Sequence, residues 1–170
     1  VIGAATPKYL TAPEAPLIDK GRELHGVWQA RGGVRVANPV IVRRPRVGIM
    51  GSGDEIVDID QPDEIISGRK VASSNTHTLM ALVKMAGAVP VSLGIARDTP
   101  DSVREHLQRA AGCDLIVTTA GISVGEHDYL REVLQSLGAE LLFWKLRMRP
   151  GAPVGFGLLD GVPWLGLPGN

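Results

Sequence analysis

Charged and polar side chains follow four of the apolar segments in this sequence. They are Asp54 with Glu55, Asp98, Ser123 with Asp128, and Lys145 with Arg147 and Arg149. Two carboxylates such as Asp54 and Asp128 suit Mg²⁺, which takes its remaining ligands from water and substrate phosphate. The basic cluster suits an anionic substrate. Taken alone, Asp54 is equally typical of a turn, and residues 145–149 are equally typical of a solvated strand edge. Binding of a metal and an anionic substrate therefore requires that these groups lie close together.

The segment from 118 to 129 is the strongest candidate for a ligand site. An apolar, β-branched run at 115–117 predicts a buried strand before it, and apolar residues spaced i, i+3, i+4 from Leu130 predict a helix after it. Gly121, Ser123 and Gly125 would then lie at a helix start, where free N–H groups favour an anion. Asp128 would repel that anion unless a divalent cation lies between them. The alternative is a tight turn in which Asp128 only favours the helix start.

Strand and helix patterns alternate along the rest of the chain. Strands are predicted over 46–50, 89–96 and 140–145, with Pro90 interrupting the second, and a hairpin over 154–167 around Asp160-Gly161. Helices are predicted after Ser73 and after Thr99-Pro100, whereas residues 58–68 read as an exposed excursion without a continuous helix. The predicted fold class is α/β, a three-layer α/β/α domain with a mostly parallel, mixed sheet. The carboxyl ends of its parallel strands would bring the polar groups to one edge.

The first 45 residues differ from the remainder. They are rich in proline and glycine, with a short helix predicted over 19–27 and short strands over 34–36 and 40–42. This stretch is too short for a full domain. We expect residues 1–45 to be a remnant or linker of a larger amino-terminal region, and residues 46–170 to form the α/β domain.

Composition excludes several classes of protein. The chain has 170 residues, and its 18 basic and 18 acidic side chains cancel, so no overall field attracts nucleic acid. The single cysteine, Cys113, excludes a disulfide framework and is predicted to be a buried structural thiol. No two histidines stand at zinc-site spacing. The sequence shows no signal peptide and no apolar run of membrane-spanning length, so a cytoplasmic protein without a membrane partner is expected.

Several motifs together resemble one known family. They are Gly53-Asp54-Glu55, Ser74-Asn75 at a helix start, Asp114 to Thr119, Gly121-Ile122-Ser123-Val124-Gly125 with Asp128-Tyr129, Arg149-Pro150-Gly151, and Gly166-Leu167-Pro168-Gly169-Asn170. In this order and spacing, from about Arg43 to Asn170, the chain resembles the molybdopterin molybdenumtransferases, the family that includes the E domain of gephyrin.

The resemblance implies the last step of molybdenum cofactor synthesis. Adenylylated molybdopterin is bound and cleaved with Mg²⁺, AMP is released, and molybdate is inserted at the dithiolene. Carried over by motif, Asp54 and Asp128 would be metal- and substrate-site acids, and Lys145 with Arg149 would serve the molybdate and terminal-phosphate end. The remaining substrate contacts implied by the motifs are Gly121, Ser123, Gly125, Ser74, Asn75, Pro150 and Pro168. The family also implies a homodimer and contact with the molybdopterin adenylyltransferase.

The sequence departs from the family at three positions. Ala120 replaces the usual glycine of the loop, Ser73 replaces aspartate, and Ala152 replaces a lysine that would add a cation. The family's long amino-terminal region and carboxyl-terminal β-domain are mostly absent from the sequence. Two other functions remain open, a molybdopterin adenylyltransferase of the same fold and a non-catalytic molybdopterin-binding or scaffold module.

Overall fold

The computed structural model describes residues 27–29, 35–37, 43–119, 129–146 and 153–169. The chain divides into two units, Val1–Arg44 and Pro45–Asn170. In the first unit, β1 (Val27–Gln29) pairs antiparallel with β2 (Arg35–Ala37). Strand β2 overlaps the strand predicted over 34–36, and Val27 lies in β1 rather than in a helix. The other elements predicted for this unit lie outside the described residues.

The second unit alternates strands and helices. In chain order these are β3 (Arg46–Ser52), β4 (Ile56–Val57), α1 (Pro62–Ile66), β5 (Val71–Ala72), α2 (Ser74–Met85), β6 (Val89–Ala96), α3 (Pro100–Gln108), β7 (Leu115–Thr119), α4 (Tyr129–Ser136), β8 (Glu140–Trp144), β9 (Gly155–Leu159) and β10 (Val162–Leu167).

Six of these strands form one mixed sheet in the order β6-β3-β7-β10-β9-β8. Strand β3 is parallel to both of its neighbours, and β7 is also parallel to β10. Strand β9 runs antiparallel to β10 and to β8, so β8 has the same direction as the parallel strands. The mostly parallel sheet with antiparallel pairing towards the chain end was predicted, and it is confirmed.

Helices cover both faces of the sheet. On one face, buried apolar residues of α3 and α4 pack against the strands; they are Val103, Leu107, Leu130, Val133 and Leu134. On the other face, α2 packs Leu79, Met80 and Val83 against Val47, Ile49 and Val117. Since Leu134 is fully buried, truncating it to alanine would cost about 2–5 kcal/mol. The three-layer α/β/α arrangement is therefore confirmed.

Prolines account for two differences from the predicted elements. Strand β6 is continuous through Pro90, because β6 is an edge strand of the sheet and an edge strand can lack one ladder N–H. Within the predicted excursion, Pro62 does not prevent a helix but begins α1, since proline at the first helical position loses no intrahelical hydrogen bond. Strands β4 and β5 pair in parallel and were not predicted, because two residues are too few to show periodicity.

Turn and cap residues fix the remaining boundaries. The β9–β10 hairpin turns at Asp160 (φ 50°) and Gly161 (φ 76°), which is the geometry expected for an Asp-Gly turn. The Thr99 hydroxyl accepts a hydrogen bond from the Ser102 N–H (3.4 Å) and caps α3 as predicted. In the described part of the chain, no helix combines the length and hydropathy that a membrane span requires.

Candidate functional site

The carboxyl ends of five strands lie along one edge of the sheet. Gly51 pairs with Thr119, Ser52 with Ala96 and Leu167 with Thr119, so β3, β6, β7 and β10 end at the same level. Trp144 pairs with Gly155, which pairs with Gly166, and this brings the end of β8 to that edge as well. This carboxyl edge is where open α/β sheets bind their ligands.

Two aspartates meet at the carboxyl edge. The Asp54 N–H donates to Oδ2 of Asp98, and the Asp98 N–H donates to Oδ1 of Asp54, both at 3.2 Å. Both side chains are exposed. The loop after β3 and the loop after β6 are thus joined by two reciprocal hydrogen bonds, and two carboxylates face solvent side by side. Bringing two negative charges together favours a cation or a hydrogen-bond donor between or beside them.

The loop that carries Asp54 is held by its backbone. Gly53 has φ 139°, a conformation that residues with a side chain rarely adopt, and its N–H donates to the Ala96 carbonyl (3.1 Å). The Ile56 N–H closes the turn onto the Gly53 carbonyl (3.1 Å). The Lys70 ammonium donates to the Asp54 carbonyl oxygen, which brings a cation next to this loop. Glycine at position 53 is therefore required by the conformation of this loop.

Helix α2 begins close to the end of β3. A Cβ on Gly51 would lie 3.1 Å from Cγ2 of Thr76 and 3.6 Å from Oγ of Ser73, so only glycine allows this approach without displacement. Ser73 precedes the helix, but its buried hydroxyl pairs with the Thr76 hydroxyl (2.8 Å) and makes no cap to a helical N–H. Ser74 is exposed and Asn75 is half-buried in the first turn. The start of α2 therefore presents partial positive charge at this edge.

A cavity of about 610 Å³ opens beside Asp54. Its apolar walls include Ile56, Val57, Ile95 and Ala96. Its polar lining consists of Asp54, Asp58, Gln61, Glu64, Lys70 and Arg97. His77 of α2 reaches the cavity wall, with its Nε2 atom 3.0 Å from Oδ1 of Asp58. Lys70 was not singled out from the sequence, because its contact with Asp54 spans 16 residues without a recognisable pattern.

The other predicted site residues are distributed along the same edge. Pro168 is exposed just after β10, two strand positions from β3. Lys145 is exposed after β8 and has φ 70°. Strand β8 lies four strand positions from β3, so the two strands are separated by about 19 Å at the usual strand spacing. The structure thus brings Asp54 and Asp98 together but does not bring Lys145 to them.

The remaining candidates lie outside the described residues. These are Gly121, Ser123, Gly125, Asp128, Arg149 and Pro150, together with the family departures Ala120 and Ala152. Strand β7, which leads into residues 120–128, ends with two buried threonines. The Thr118 hydroxyl is one of the buried polar groups without a hydrogen-bond partner in the described part of the chain. The roles of the candidate residues outside the described part of the chain stay predictions.

The described residues fit Mg²⁺ only as part of a larger ligand set. Among them, no group of three or more His, Cys, Asp or Glu side chains is arranged to hold a metal ion. Exposed carboxylate oxygens such as those of Asp54 are nevertheless the ligand type that Mg²⁺ prefers, and one or two protein carboxylates commonly suffice. Asp54 therefore fits a Mg²⁺ site that substrate phosphate would complete.

Fold and edge together define a class: an α/β domain whose polar side chains gather at the carboxyl ends of parallel strands, the edge where such domains bind their ligands. The model of the family described as "Probable molybdopterin binding domain" matches residues 48–170, and the chain belongs to this family.

Relatives of the chain carry a more specific name. It is 40% identical over 134 residues to a molybdopterin molybdenumtransferase of Nostoc, with 76% of this chain and 30% of the relative covered. A molybdopterin molybdenumtransferase of Bacillus subtilis is 33% identical over 159 residues, covering 91% and 36%. The crystal structure of a molybdopterin biosynthesis MoeA protein from Pyrococcus horikosii superposes with a TM-score of 0.64 at 26% identity, covering 76% and 31%. The chain spans about a third of the length of these relatives, and the resemblance read from its motifs is confirmed.

Proposed function

We propose that this chain supplies the substrate-binding α/β domain of a molybdopterin molybdenumtransferase. In this role it would bind adenylylated molybdopterin, promote release of AMP and serve insertion of molybdate into the dithiolene. The observation that carries the proposal is the exposed Asp54 carboxylate, held at the carboxyl edge by a hydrogen bond from the Asp98 N–H within the matched domain. Relatives with the same domain bear the transferase name.

The pyrophosphate link of the substrate would lie near the start of α2. There, backbone N–H groups and the helix dipole favour phosphate oxygens, and Ser74 with Asn75 adds polar side chains. The predicted loop residues Gly121, Ser123 and Gly125 would contribute a second set of N–H groups from the end of β7.

The acids would serve the scissile end of that link. Asp54 and Asp128 would hold Mg²⁺, which when bound neutralises charge on the phosphate oxygens. The reciprocal hydrogen bonds with Asp98 keep Asp54 in place before the substrate arrives, so less ordering is required on binding.

Molybdate and the far end of the substrate would lie towards β8. Lys145 and Arg149 are cations suited to an oxyanion, and Pro150 and Pro168 would shape the edge between them and Asp54. The separation of about 19 Å between strands β3 and β8 suits this substrate, because its pterin dithiolene, pyrophosphate and adenosine are joined in series and can contact both regions.

Three broader features belong to the same proposal. The protein would work in the cytoplasm, as a homodimer, and would receive its substrate through contact with the molybdopterin adenylyltransferase. Their support is the resemblance of the sequence motifs to the molybdenumtransferase family.

The test is a calorimetric titration of the polypeptide with adenylylated molybdopterin, with and without Mg²⁺, followed by an assay of AMP after molybdate is added. Mg²⁺-dependent binding with AMP release supports the proposed function. Binding without AMP release supports the substrate-binding role and shows that this polypeptide alone does not catalyse the cleavage. Formation of adenylylated molybdopterin from ATP and molybdopterin would identify an adenylyltransferase instead, and absence of any binding would contradict the proposal.

A further inference from the structure

We infer that Asp98 is a positioning residue, which holds the Asp54 loop and fixes the direction of the Asp54 carboxylate. The inference rests on the proposed role of Asp54. Two hydrogen bonds of 3.2 Å support it: the Asp98 carboxylate accepts from the Asp54 N–H, and the Asp98 N–H donates to one oxygen of the Asp54 carboxylate. One residue thus fixes both the backbone and the side chain of Asp54.

The segment that carries Asp98 is firmly anchored. It begins at Ala96, which is fully buried at the end of β6, and continues into Thr99, the cap of α3. The Arg97 N–H donates to Oγ of Ser102 (3.0 Å), and the Thr99 N–H donates to the Arg97 carbonyl (2.7 Å). Asp98 is therefore placed by a strand end on one side and a capped helix on the other.

The segment that carries Asp54 depends more on its neighbours. It follows Gly53, whose φ of 139° is one that residues with a side chain rarely adopt, and it leads into β4, which has only two residues. Across the edge, the Gly53 N–H donates to the Ala96 carbonyl, and Asp98 supplies two further hydrogen bonds. The anchored segment at the end of β6 therefore supplies three of the hydrogen bonds that hold the loop after β3.

The geometry assigns different tasks to the two oxygens of Asp54. Oδ1 accepts from the Asp98 N–H, which orients the carboxylate and directs its second oxygen away from that bond. A ligand or cation at the edge would meet an acid already in one orientation. Loss of the Asp98 carboxylate would release the Asp54 N–H, so the loop would sample other conformations and the acid would be less often in place.

The first arm of the test uses the free protein. Hydrogen exchange of the Asp54 amide is measured by NMR in wild type, Asp98→Ala, Asp98→Asn and the control Asp101→Ala. Asp101 is an exposed acid three residues away, and its carboxylate lies 3.7 Å from the guanidinium of Arg104, so the control removes the same charge. Asp98→Ala should speed exchange of the Asp54 amide by roughly fivefold. Asp98→Asn, which keeps an acceptor oxygen, should restore protection, and an unchanged amide in Asp98→Ala would overturn the inference.

The second arm measures Mg²⁺-dependent binding of adenylylated molybdopterin. Asp98→Ala should weaken binding by roughly 10–100-fold, as expected for a residue that orients a ligating group, and Asp98→Asn should recover most of it. Because Asp98 acts through Asp54, the double variant Asp54→Ala/Asp98→Ala should bind no worse than Asp54→Ala. A further loss in the double variant would mean that Asp98 contacts the ligand itself, contrary to the inference. A wild-type chain that binds no probe contradicts the proposed function, and the amide exchange then still decides whether Asp98 holds the loop.

Discussion

Aspartates form paired hydrogen bonds at both edges of the sheet, the amino edge where the parallel strands begin and the carboxyl edge where they end. The two pairs of hydrogen bonds serve different purposes. At the amino edge, the Arg46 N–H donates to Oδ2 of Asp114 and the Asp114 N–H donates to the Arg46 carbonyl, both at 2.7 Å. At the carboxyl edge, Asp54 and Asp98 exchange two hydrogen bonds of 3.2 Å. In each case an aspartate ties β3 to a neighbouring parallel strand.

The surroundings of the two aspartate ties differ. Asp114 is half-buried and adjoins Cys113, which is buried, so the amino-edge bonds are partly shielded from water. Asp54 and Asp98 are both exposed, and Asp54 lines the cavity at the carboxyl edge. Hydrogen bonds shielded from water contribute more to stability, whereas exposed acids remain available to a ligand. The amino edge therefore stabilises the fold, and the carboxyl edge is available for chemistry.

Removing the acid at the carboxyl edge should have the largest effect on function. Asp54→Ala is expected to lower Mg²⁺-dependent AMP release by roughly 10²-fold or more, because a group that stabilises charge on the reacting phosphate is lost. Its stability should change by no more than about 1 kcal/mol, since the side chain is exposed. The rate of AMP release at saturating substrate tests the effect on function, and chemical denaturation tests the effect on stability. A wild-type rate in Asp54→Ala would show that Asp54 is not part of the site.

Removing the acid at the amino edge should show the opposite pattern. Asp114→Ala is expected to destabilise the domain by about 1–3 kcal/mol, because the half-buried Arg46 N–H loses its acceptor. Affinity for adenylylated molybdopterin should be unchanged once the variant is folded. Urea unfolding measures the loss of stability, and calorimetry at low temperature measures the affinity of the folded variant. An equal loss of stability in Asp54→Ala would contradict the difference between the two edges.

Two glycines of β3 allow a finer comparison. A Cβ on Gly48 would lie 3.0 Å from Cδ1 of Leu93 and 3.2 Å from the Cys113 sulfur, whereas one on Gly51 would lie 3.1 Å from Cγ2 of Thr76 at the start of α2. Each alanine should cost about 1–3 kcal/mol by overpacking. Only Gly51→Ala should also weaken ligand binding, by displacing the helix start, and equal affinities of the two variants would contradict a role for α2.

The smallest effect concerns the thiol at the amino edge. Burial raises the pKa of Cys113; the nearby Arg46 charge opposes this rise and Asp114 adds to it. The folded state therefore keeps the proton longer than the unfolded chain, whose thiol ionises near 9.0. The stability that the protonated thiol contributes to the folded state is fully present below pH 9.0 and is lost as the pH rises above that value. Unfolding at pH 7.5 and pH 10 should show a smaller loss in Cys113→Ala than in wild type, and an equal loss would count against the burial effect.

Local signals were enough to predict most of the fold. The Asp160-Gly161 turn and the Thr99 cap carry their geometry in residue type, and the apolar spacing of Leu130, Val133 and Leu134 marks the buried face of α4. Pro90 was misread, since the sequence does not show that β6 is an edge strand. A strand's place in the sheet depends on long-range pairing, which no local pattern reports.

The candidate site was predictable only in part for the same reason. Polar residues after strands indicated the carboxyl edge, and the structure places Asp54 and Asp98 there together. The order of strands decides which of these residues are neighbours, so the distance between Asp54 and Lys145 could not be read from the sequence. The contact of Lys70 with Asp54 likewise depends on the path of the excursion after β4.

The most direct test of the carboxyl edge as the ligand site is an amide chemical-shift map of the ¹⁵N-labelled chain. Adenylylated molybdopterin with Mg²⁺ is added, and shifts are compared at the two edges. We predict shift changes at Gly53, Asp54, Asp98 and Thr119 and none at Cys113 and Asp114. Changes confined to the amino edge, or a bound ligand without changes at the carboxyl edge, would contradict this prediction.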